Sequence, residues 1–275
     1  MKATTLLKKI KNRFQLFILK TTSYIRYISF ACFESNGIKK IGNLSFLSNF
    51  KYNYQIIKFS KNEPTIVNLK KLVSKDSIFI DIGANIGIVS LIISRFVDKV
   101  YSFEPVISSY INLCRNIEMN NIKNIVPLNI ALSEKCSLLE ITNIPYGETN
   151  KVVKTHILDN EICREYDFLN VFASSLDNLN KYYLHLKKNK KIIIKIDTES
   201  HELYVLNGAK SFLMNNAPIL VCMEQNPRTK EALVKFMNSL KFKKIESYNF
   251  KGFVKDEENL YFANDYFLKE KNSVF

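Results

Sequence analysis

The stretch "FIDIGANIGIVSL", residues 79–91, decides the fold because it joins a buried strand to a helix through a glycine turn. The apolar run before Gly83 is typical of a buried strand, and the apolar residues after it have helical spacing. Gly83 and Gly87 lack a Cβ atom, so the backbone can bend there and a ligand can come close. The glycines do not complete the G-x-G-x-x-G dinucleotide fingerprint, which argues against a nicotinamide oxidoreductase.

The same alternation of strand and helix runs through most of the chain. It predicts an α/β fold with a mostly parallel sheet, because parallel strands are joined by right-handed helical crossovers. The last two strands are close enough in sequence to form an antiparallel hairpin. Residues 143–170 interrupt the alternation without a readable motif, and we expect them to shape a substrate site. Strands are expected at 77–83, 99–105, 124–132, 137–142, 190–197, 218–224, 242–249 and 259–267, and helices at 86–96, 108–121, 201–216 and 229–240.

Polar residues follow the first three of these strands. Asp81 lies at the lip of the glycine turn, and Glu104 ends the second strand 23 positions later. An acidic residue at about that distance is placed to accept hydrogen bonds from the hydroxyls of an adenosine ribose. The segment "NIALSE", residues 129–134, ends the third strand, where it would border an adenine ring. Because ligands of open α/β sheets bind at the carboxyl ends of the strands, the three motifs together predict a nucleoside site.

Five segments together resemble the FkbM family of S-adenosylmethionine-dependent methyltransferases, in one order from about Ile78 to Glu224. The resemblance implies a Rossmann-like class I methyltransferase fold, with a mostly parallel seven-stranded sheet and an antiparallel C-terminal hairpin. It also implies S-adenosylmethionine as cofactor and methyl transfer, usually to a hydroxyl of a sugar or secondary metabolite. The segments are "FIDIGANIGIVSL" (79–91), "FEPVISSYINLCRNIEMNN" (103–121), "NIVPLNIALSE" (124–134), "SSLDNL" (174–179) and "IKIDTESHELYVLNGA" (194–209).

The resemblance also implies where the cofactor lies. The glycine turn would line its methionine end, the second strand end its ribose, and the third strand end the edge of its adenine. The residues implied are Asp81, Gly83, Asn85 and Gly87 in the turn, Glu104 at the ribose, and Ala131, Leu132 and Ser133 at the adenine.

The segment "KIDTESHE", residues 195–202, matches the family's usual K-I-D-x-E-G-H-E, which lies beside the methyl donor. Methyl transfer needs the hydroxyl in line with the methyl group and a base to accept its proton. Asp197 and His201 are therefore candidate bases, and Glu199 is a candidate orienting residue or substrate contact. We expect no metal site.

A structural explanation of the same segment remains open. Thr198 or Ser200 would cap the next helix, while Glu199 and Glu202 complement its dipole. Ser200 stands where the family usually has glycine, and a positive φ at that position would strain a serine. Two further predictions are that Lys195 pairs with one of these carboxylates and that Glu224 faces the substrate.

The chain has 275 residues and a formal net charge of +14. This balance predicts an anionic acceptor, such as a surface polysaccharide precursor or a lipid-linked sugar, unless the lysines only solvate the surface. The expected activity is O-methylation of a glycan, a lipid-linked sugar or a glycosylated metabolite. A nucleic-acid methyltransferase is an alternative, but the N-P-P-Y tetrad of base amino methylation is absent after residues 190–197 and no nucleic-acid partner is expected. A catalytically silent scaffold protein with the same fold is the other alternative.

Residues 5–30 have the pattern of a basic amphipathic helix that is too interrupted to cross a membrane. It would dock on its own domain, on a second subunit of a homo-oligomer, or on an anionic membrane surface. We expect this helix and a small β-rich lobe to occupy residues 1–62, and the methyltransferase domain residues 63–275. Five scattered cysteines without a C-x-x-C pair predict buried reduced thiols and a cytoplasmic protein, located at the inner face of the membrane if the helix binds lipid.

Overall fold

The computed structural model describes residues 37–48, 50–60, 62–143, 167–186, 190–215, 217–225, 227–245 and 253–272. The amphipathic helix predicted for residues 5–30 and most of the stretch 143–170 lie outside these ranges. No helix among the described residues is long and apolar enough to cross a membrane.

The described residues form short strands and helices in alternation. The strands are β1 (Gly37–Ile41), β2 (Leu44–Ser48), β3 (Ile78–Ile82), β4 (Lys99–Phe103), β5 (Ile125–Leu128), β6 (Ala131–Leu132), β7 (Ser137–Asn143), β8 (Asp167–Ser174), β9 (Ile192–Ile196), β10 (Ile219–Glu224), β11 (Lys243–Ile245) and β12 (Asn259–Ala263). The α-helices are α1 (Phe50–Ser60), α2 (Pro64–Leu72), α3 (Ile88–Ser94), α4 (Ile107–Met119), α5 (Leu176–Leu179), α6 (Glu202–Asn207), α7 (Lys210–Leu213), α8 (Lys230–Ser239) and α9 (Asp265–Asn272). A π-helix, Asn180–Leu184, follows α5.

Seven strands form the central sheet in the order β11-β12-β10-β9-β3-β4-β5. The five strands from β10 to β5 are parallel, and β12 pairs antiparallel with both β10 and β11. This confirms the predicted α/β fold with its antiparallel C-terminal pair. The strand order reverses between β3 and β9, which is where an open α/β sheet binds its ligand.

The sequence forms this sheet because its central strands are apolar on both faces. Every residue of β3 and β9 is buried. Alternate residues point to opposite faces, so Phe79 packs in the core beneath α2 and α3 while Ile80 packs in the core beneath α6 and α8. All residues of α3 are buried as well, so the helix that follows the glycine turn is fixed firmly against the sheet.

A second, three-stranded sheet with the order β6-β8-β7 corrects two predictions. The single strand expected over 124–132 is wrong, because the chain leaves the central sheet after Leu128 and enters the small sheet at Ala131. The break lies at Asn129, between the two strands. Its side-chain amide donates to the carbonyls of Glu104 and Pro105. The strand expected at 137–142 exists as β7 but belongs to this small sheet, and β8 was not predicted.

The other differences concern helices. The helix expected over 201–216 is two short helices, α6 and α7, which are separated at Gly208. In the N-terminal part of the chain, where a small β-rich lobe was expected, residues 37–48 form a β-hairpin but residues 50–60 form helix α1, so the β-rich expectation is wrong for residues 50–60. The hairpin packs on α4, where the amides of Ser45 and Leu47 donate to the side chains of Asn120 and Asn116 at 2.8 Å. The domain division at residue 62 stays a prediction.

The described part of the chain contains three of the cysteines, and each is a free thiol. Cys222 is buried and Cys114 is half-buried, but Cys136 is exposed, so the prediction of buried thiols is wrong at Cys136.

Candidate active site

A cavity of about 330 Å³ opens at the carboxyl ends of the parallel strands, at the switch point between β3 and β9. All three candidate catalytic residues line it. So do six of the eight residues predicted to contact the cofactor, and the two that do not are Gly87 and Ser133. The residues brought together are Asp81, Gly83, Asn85, Glu104, Ala131, Leu132, Asp197, Glu199 and His201.

Gly83 directly follows β3 and lies against Asp197, the residue that follows β9. Its φ is +81°, and a Cβ atom there would lie 1.9 Å from the carbonyl oxygen of Asp197. Only glycine fits this position. The amides of Gly83 and Ala84 both donate to the carbonyl of Phe103 at 3.0 Å, so the turn is also attached to the end of β4.

Gly87 has a different role. Its φ is +85°, and an added Cβ atom would meet the side chain of Leu113 at 2.4 Å. The glycine therefore allows α3 and α4 to pack closely, and the cavity lining does not include it.

Glu104 is a buried carboxylate held by two backbone amides. Its Oε2 accepts from the amide of Asn85 and its Oε1 from the amide of Val106, both at 2.8 Å. A carboxylate oxygen can accept more than one hydrogen bond, so a ligand hydroxyl can also donate to this carboxylate. The glycine turn and the end of β4 therefore fix the orientation of this side chain.

Asp81 is completely buried, and Lys195 lies opposite it in the register of β3 and β9. One oxygen of Asp81 accepts from Ser90, which also contacts Ser102. The other oxygen, Oδ1, makes no hydrogen bond within the described residues and lies 3.9 Å from the Lys195 ammonium. Burial raises the pKa of Asp81, and Lys195 and Ser90 oppose that rise.

Lys195 bridges two carboxylates. Its Nζ donates to Asp197 at 2.9 Å besides lying near Asp81, so the predicted pairing is present. Burial alone would favour the neutral amine, but the charges of Asp197 and Asp81 outweigh it and raise the pKa of Lys195. The lysine is therefore a fixed positive charge in the lining of the cavity.

Asp197, Glu199 and Glu224 form a cluster that we call the acidic triad. Each offers a carboxylate oxygen, and these atoms all lie within 4.8 Å of one another. Burial and then the charges of Asp197, Glu199 and Glu202 raise the pKa of Glu224 to about 8. Glu224 lines the cavity, which agrees with its predicted substrate-side position.

His201 is buried and bonds to the third strand end. Its Nε2 lies 3.0 Å from the hydroxyl of Ser133, and its ring stacks on Tyr204 with the centroids 4.8 Å apart. The imidazole thus joins the loop after β9 to the end of β6. Since Nε2 faces Ser133, this geometry favours a positioning role for His201 over the predicted role of base.

Glu202 holds the loop between β9 and α6. Its Oε1 accepts from the amides of Thr198 and Ser200 and from the hydroxyl of Thr198. The N-cap of α6 is His201, which makes no side-chain cap, so the expected capping by Thr198 or Ser200 is wrong. Burial raises the pKa of Glu202, and the donors from the loop oppose that rise.

Ser200 has a φ of +76°, which glycine adopts more readily than serine. Ser200→Gly is expected to raise the free energy of unfolding by roughly 0.5–1 kcal/mol, because the relief of left-handed strain exceeds the added entropy of the unfolded chain. Denaturant unfolding measures the change. Ser211→Gly, in the short helix α7, should instead destabilise the protein, and a loss of stability in both variants would contradict strain at Ser200.

Helix α1 contributes cavity residues that carried no sequence signal. Gln55, Lys58 and Phe59 line the cavity. The side-chain oxygen of Gln55 accepts from the side-chain amide of Asn85 at 3.1 Å, and Lys58 pairs with Glu258 at 2.7 Å. These contacts join residues 30 and 200 positions apart, so no local pattern could have revealed them.

The strand order and the nucleoside-type site at the carboxyl ends define a class I methyltransferase. The Methyltransferase FkbM domain matches residues 81–251, more than half of the chain, and the protein belongs to this family. Its cofactor is S-adenosylmethionine. No curated relative matches the chain.

Several solved structures are similar at low identity. The methyltransferase FkbM from Methylobacillus flagellatus has a TM-score of 0.46 and 13% identity, over 76% of this chain and 52% of that chain. A protein from Streptococcus mutans in complex with SAH has a TM-score of 0.43 and 14% identity, over 72% and 94%. An rRNA methylase from Streptococcus thermophilus has a TM-score of 0.43 and 10% identity, over 74% and 96%. The fold assignment rests on the strand order itself and not on these similarities.

Proposed function

We propose that the protein transfers a methyl group from S-adenosylmethionine to a hydroxyl of a glycan, a lipid-linked sugar or a glycosylated metabolite. The observation that carries this proposal is the acidic triad, which shares one cavity with Glu104. A hydroxyl must lose its proton as the new bond forms, and carboxylates beside the methyl donor can accept it.

The cavity residues fit the cofactor. Gly83 and Glu104 line the cavity, Asp81 Oδ1 makes no hydrogen bond within the described residues, and a carboxylate such as Glu104 can accept from a ligand hydroxyl. In this proposal the turn from Gly83 to Asn85 holds the methionine end, Glu104 the ribose, and Ala131 and Leu132 the adenine. The bound cofactor supplies an activated methyl group on a sulfonium.

Within the triad we assign the role of base to Glu224. A base accepts a proton best when its pKa is near the working pH, and the pKa of Glu224 is about 8. Asp197 is bonded to Lys195, so it supplies fixed negative charge rather than a free acceptor. Glu199 lies beside both residues and would orient the hydroxyl. His201 would fix the loop through Ser133.

The charge of the cavity weighs against a nucleic-acid acceptor. Seven carboxylates and two lysines line it, whereas a phosphate backbone is bound by clustered lysine and arginine. A silent scaffold protein would bind the cofactor without turning over any acceptor. Contact of residues 5–30 with an anionic membrane or a second subunit stays a prediction, as does the cytoplasmic location.

Glu104→Gln is expected to weaken binding of S-adenosylmethionine and of its demethylated product roughly 10- to 100-fold. The change removes a charge-assisted hydrogen bond to the ribose, worth about 1.5–3 kcal/mol, while a neutral acceptor oxygen remains. Calorimetric titration of both ligands into wild type and variant measures the loss.

Glu118→Gln is the matched control, because Glu118 is an exposed residue of α4 that the cavity lining does not include. It should bind both ligands as wild type does. Equal affinity of Glu104→Gln and wild type would contradict the ribose role of Glu104, and absence of binding to wild type would contradict the proposed function.

A further inference from the structure

Helix α1 supplies one wall of the cavity. Gln55, Lys58 and Phe59 line the cavity, while Ile56 of the same helix is buried in the hydrophobic core beside α2 and α3. The helix is therefore anchored by an apolar residue, and its polar residues are available to the site. Gln55 makes the contact that reaches the glycine turn, since its side-chain oxygen accepts from the side-chain amide of Asn85 at 3.1 Å.

The backbone of the glycine turn is held without this contact. Two amides of the turn donate to the carbonyl of Phe103 at 3.0 Å, and the backbone amide of Asn85 donates to Glu104 at 2.8 Å. Asn85 has a φ of +51°, in the left-handed region, which asparagine enters more readily than most residues. What Gln55 adds to the turn is therefore the orientation of the Asn85 side chain.

The orientation of this side chain decides which of its two polar atoms can meet a ligand. A carboxamide carries an NH₂ donor and an oxygen acceptor, and rotation of the group by half a turn exchanges them. The nitrogen of Asn85 is engaged by Gln55, whereas its oxygen, Oδ1, is buried and accepts no hydrogen bond within the described residues. A buried acceptor without a donor is unfavourable, so a ligand that donates to Oδ1 would stabilise the complex.

We infer that Gln55 is a positioning residue for the cofactor, which holds the Asn85 amide so that its oxygen accepts from the ammonium group at the methionine end. The proposed function places that end along the turn from Gly83 to Asn85, and an ammonium is a strong N–H donor. This inference rests on the proposed function. It adds to the cofactor site a residue from outside the matched domain, since the family match begins at residue 81.

The test compares a ligand that has the amino-acid end with one that lacks it. S-adenosylhomocysteine and methylthioadenosine share the adenosine, but only the first carries the ammonium. Gln55→Met keeps the length of the side chain and removes the acceptor, so it should weaken binding of S-adenosylhomocysteine about 10-fold, or about 1.4 kcal/mol, and leave binding of methylthioadenosine unchanged. Calorimetric titration measures both affinities. Unchanged affinity for S-adenosylhomocysteine, or an equal loss for both ligands, would overturn the inference.

A double-mutant cycle tests whether the effect passes through Asn85. Asn85→Gly removes the amide, and glycine readily adopts the positive φ of this position. If Gln55 acts by orienting the amide, Gln55→Met should weaken S-adenosylhomocysteine in the wild-type background and make no further difference in the Asn85→Gly background. A loss of the same size in both backgrounds would contradict the role given to Gln55.

Two further variants separate positioning from the stability of α1. Gln55→Glu keeps an oxygen that can accept from Asn85, so it should retain most of the affinity that Gln55→Met loses. Ile56→Val removes a buried methyl group outside the cavity lining, so it should lower the denaturant midpoint and leave both affinities unchanged.

Weaker binding of S-adenosylhomocysteine to Ile56→Val would show that α1 acts through packing alone and would overturn the inference. So would a loss in Gln55→Glu as large as that in Gln55→Met. Failure of S-adenosylhomocysteine to bind to wild type would instead defeat the proposed function, so the two failures are distinguishable.

Discussion

Gly83→Ala is expected to lower the free energy of unfolding by roughly 4 kcal/mol or more and to abolish cofactor binding. The added Cβ atom would lie 1.9 Å from the carbonyl oxygen of Asp197, on backbone that cannot rotate away. To make room, β3 would have to separate from β9, where the amide of Asp197 donates to the carbonyl of Ile82. Denaturant unfolding and titration with S-adenosylhomocysteine measure the two effects.

Gly42→Ala separates steric collision from backbone strain. Gly42 lies in the turn of the β1–β2 hairpin, has a φ of +56°, and has nothing within 4 Å of an added Cβ atom. The variant should therefore lose only about 1–2 kcal/mol of its free energy of unfolding, because alanine is strained in the left-handed conformation, and it should bind the ligand normally. Equal losses in the two variants would show that β3 and β9 are not in close contact at Gly83.

The sequence-based expectations that agree with the structure concern placements that are decided locally. Strand β3 is apolar on both faces and ends in a glycine turn, so a short window contains the whole signal. The carboxylate of Glu104 is held by Asn85, in the turn itself, and by Val106, two residues away. Both partners lie close to Glu104 once β3 and β4 are neighbours in the sheet.

The small sheet, and the position of the α1 residues that line the cavity, depend on contacts between distant parts of the chain. Strand β8 pairs with β7 across residues 144–166, and no local periodicity encodes that register. Its outward-facing Phe172 is 73% exposed and pairs with Leu138, which is 61% exposed, so the usual alternation of buried apolar and exposed polar residues is absent. The contact between Gln55 and Asn85 depends likewise on how the N-terminal elements pack.

The sign of the cavity charge shows why whole-chain composition is a poor guide to a substrate. The chain carries an excess of lysine, yet seven carboxylates converge on one cavity that contains two lysines. Those carboxylates come from separate strand ends and from both terminal parts of the fold. Only the strand order places Glu199 beside Glu224, and their proximity is what changes the chemistry of the site.

Glu224→Gln is expected to remove a large pH dependence of stability. The pKa of Glu224 is about 8 in the folded protein, against an ordinary 4.5 in the unfolded chain. Between these values the folded protein holds a proton that the unfolded chain has lost, so each rise in pH favours unfolding. The wild-type free energy of unfolding should therefore fall from pH 4.5 to pH 8 by roughly 4 kcal/mol through this residue.

The glutamine variant has no proton to lose at this position, so it should match wild type near pH 4 and become the more stable protein at pH 8.5. Denaturant unfolding of both proteins across this range measures the difference, and Glu118→Gln serves as the control for removal of an exposed carboxylate. Parallel stability curves would mean that Glu224 ionises normally and is not the base. Stability curves of wild type and Glu224→Gln that diverge as expected would support the raised pKa. A methylation rate lowered about 10²–10⁴-fold in the same variant, once an acceptor is found, would support the role of Glu224 as the base.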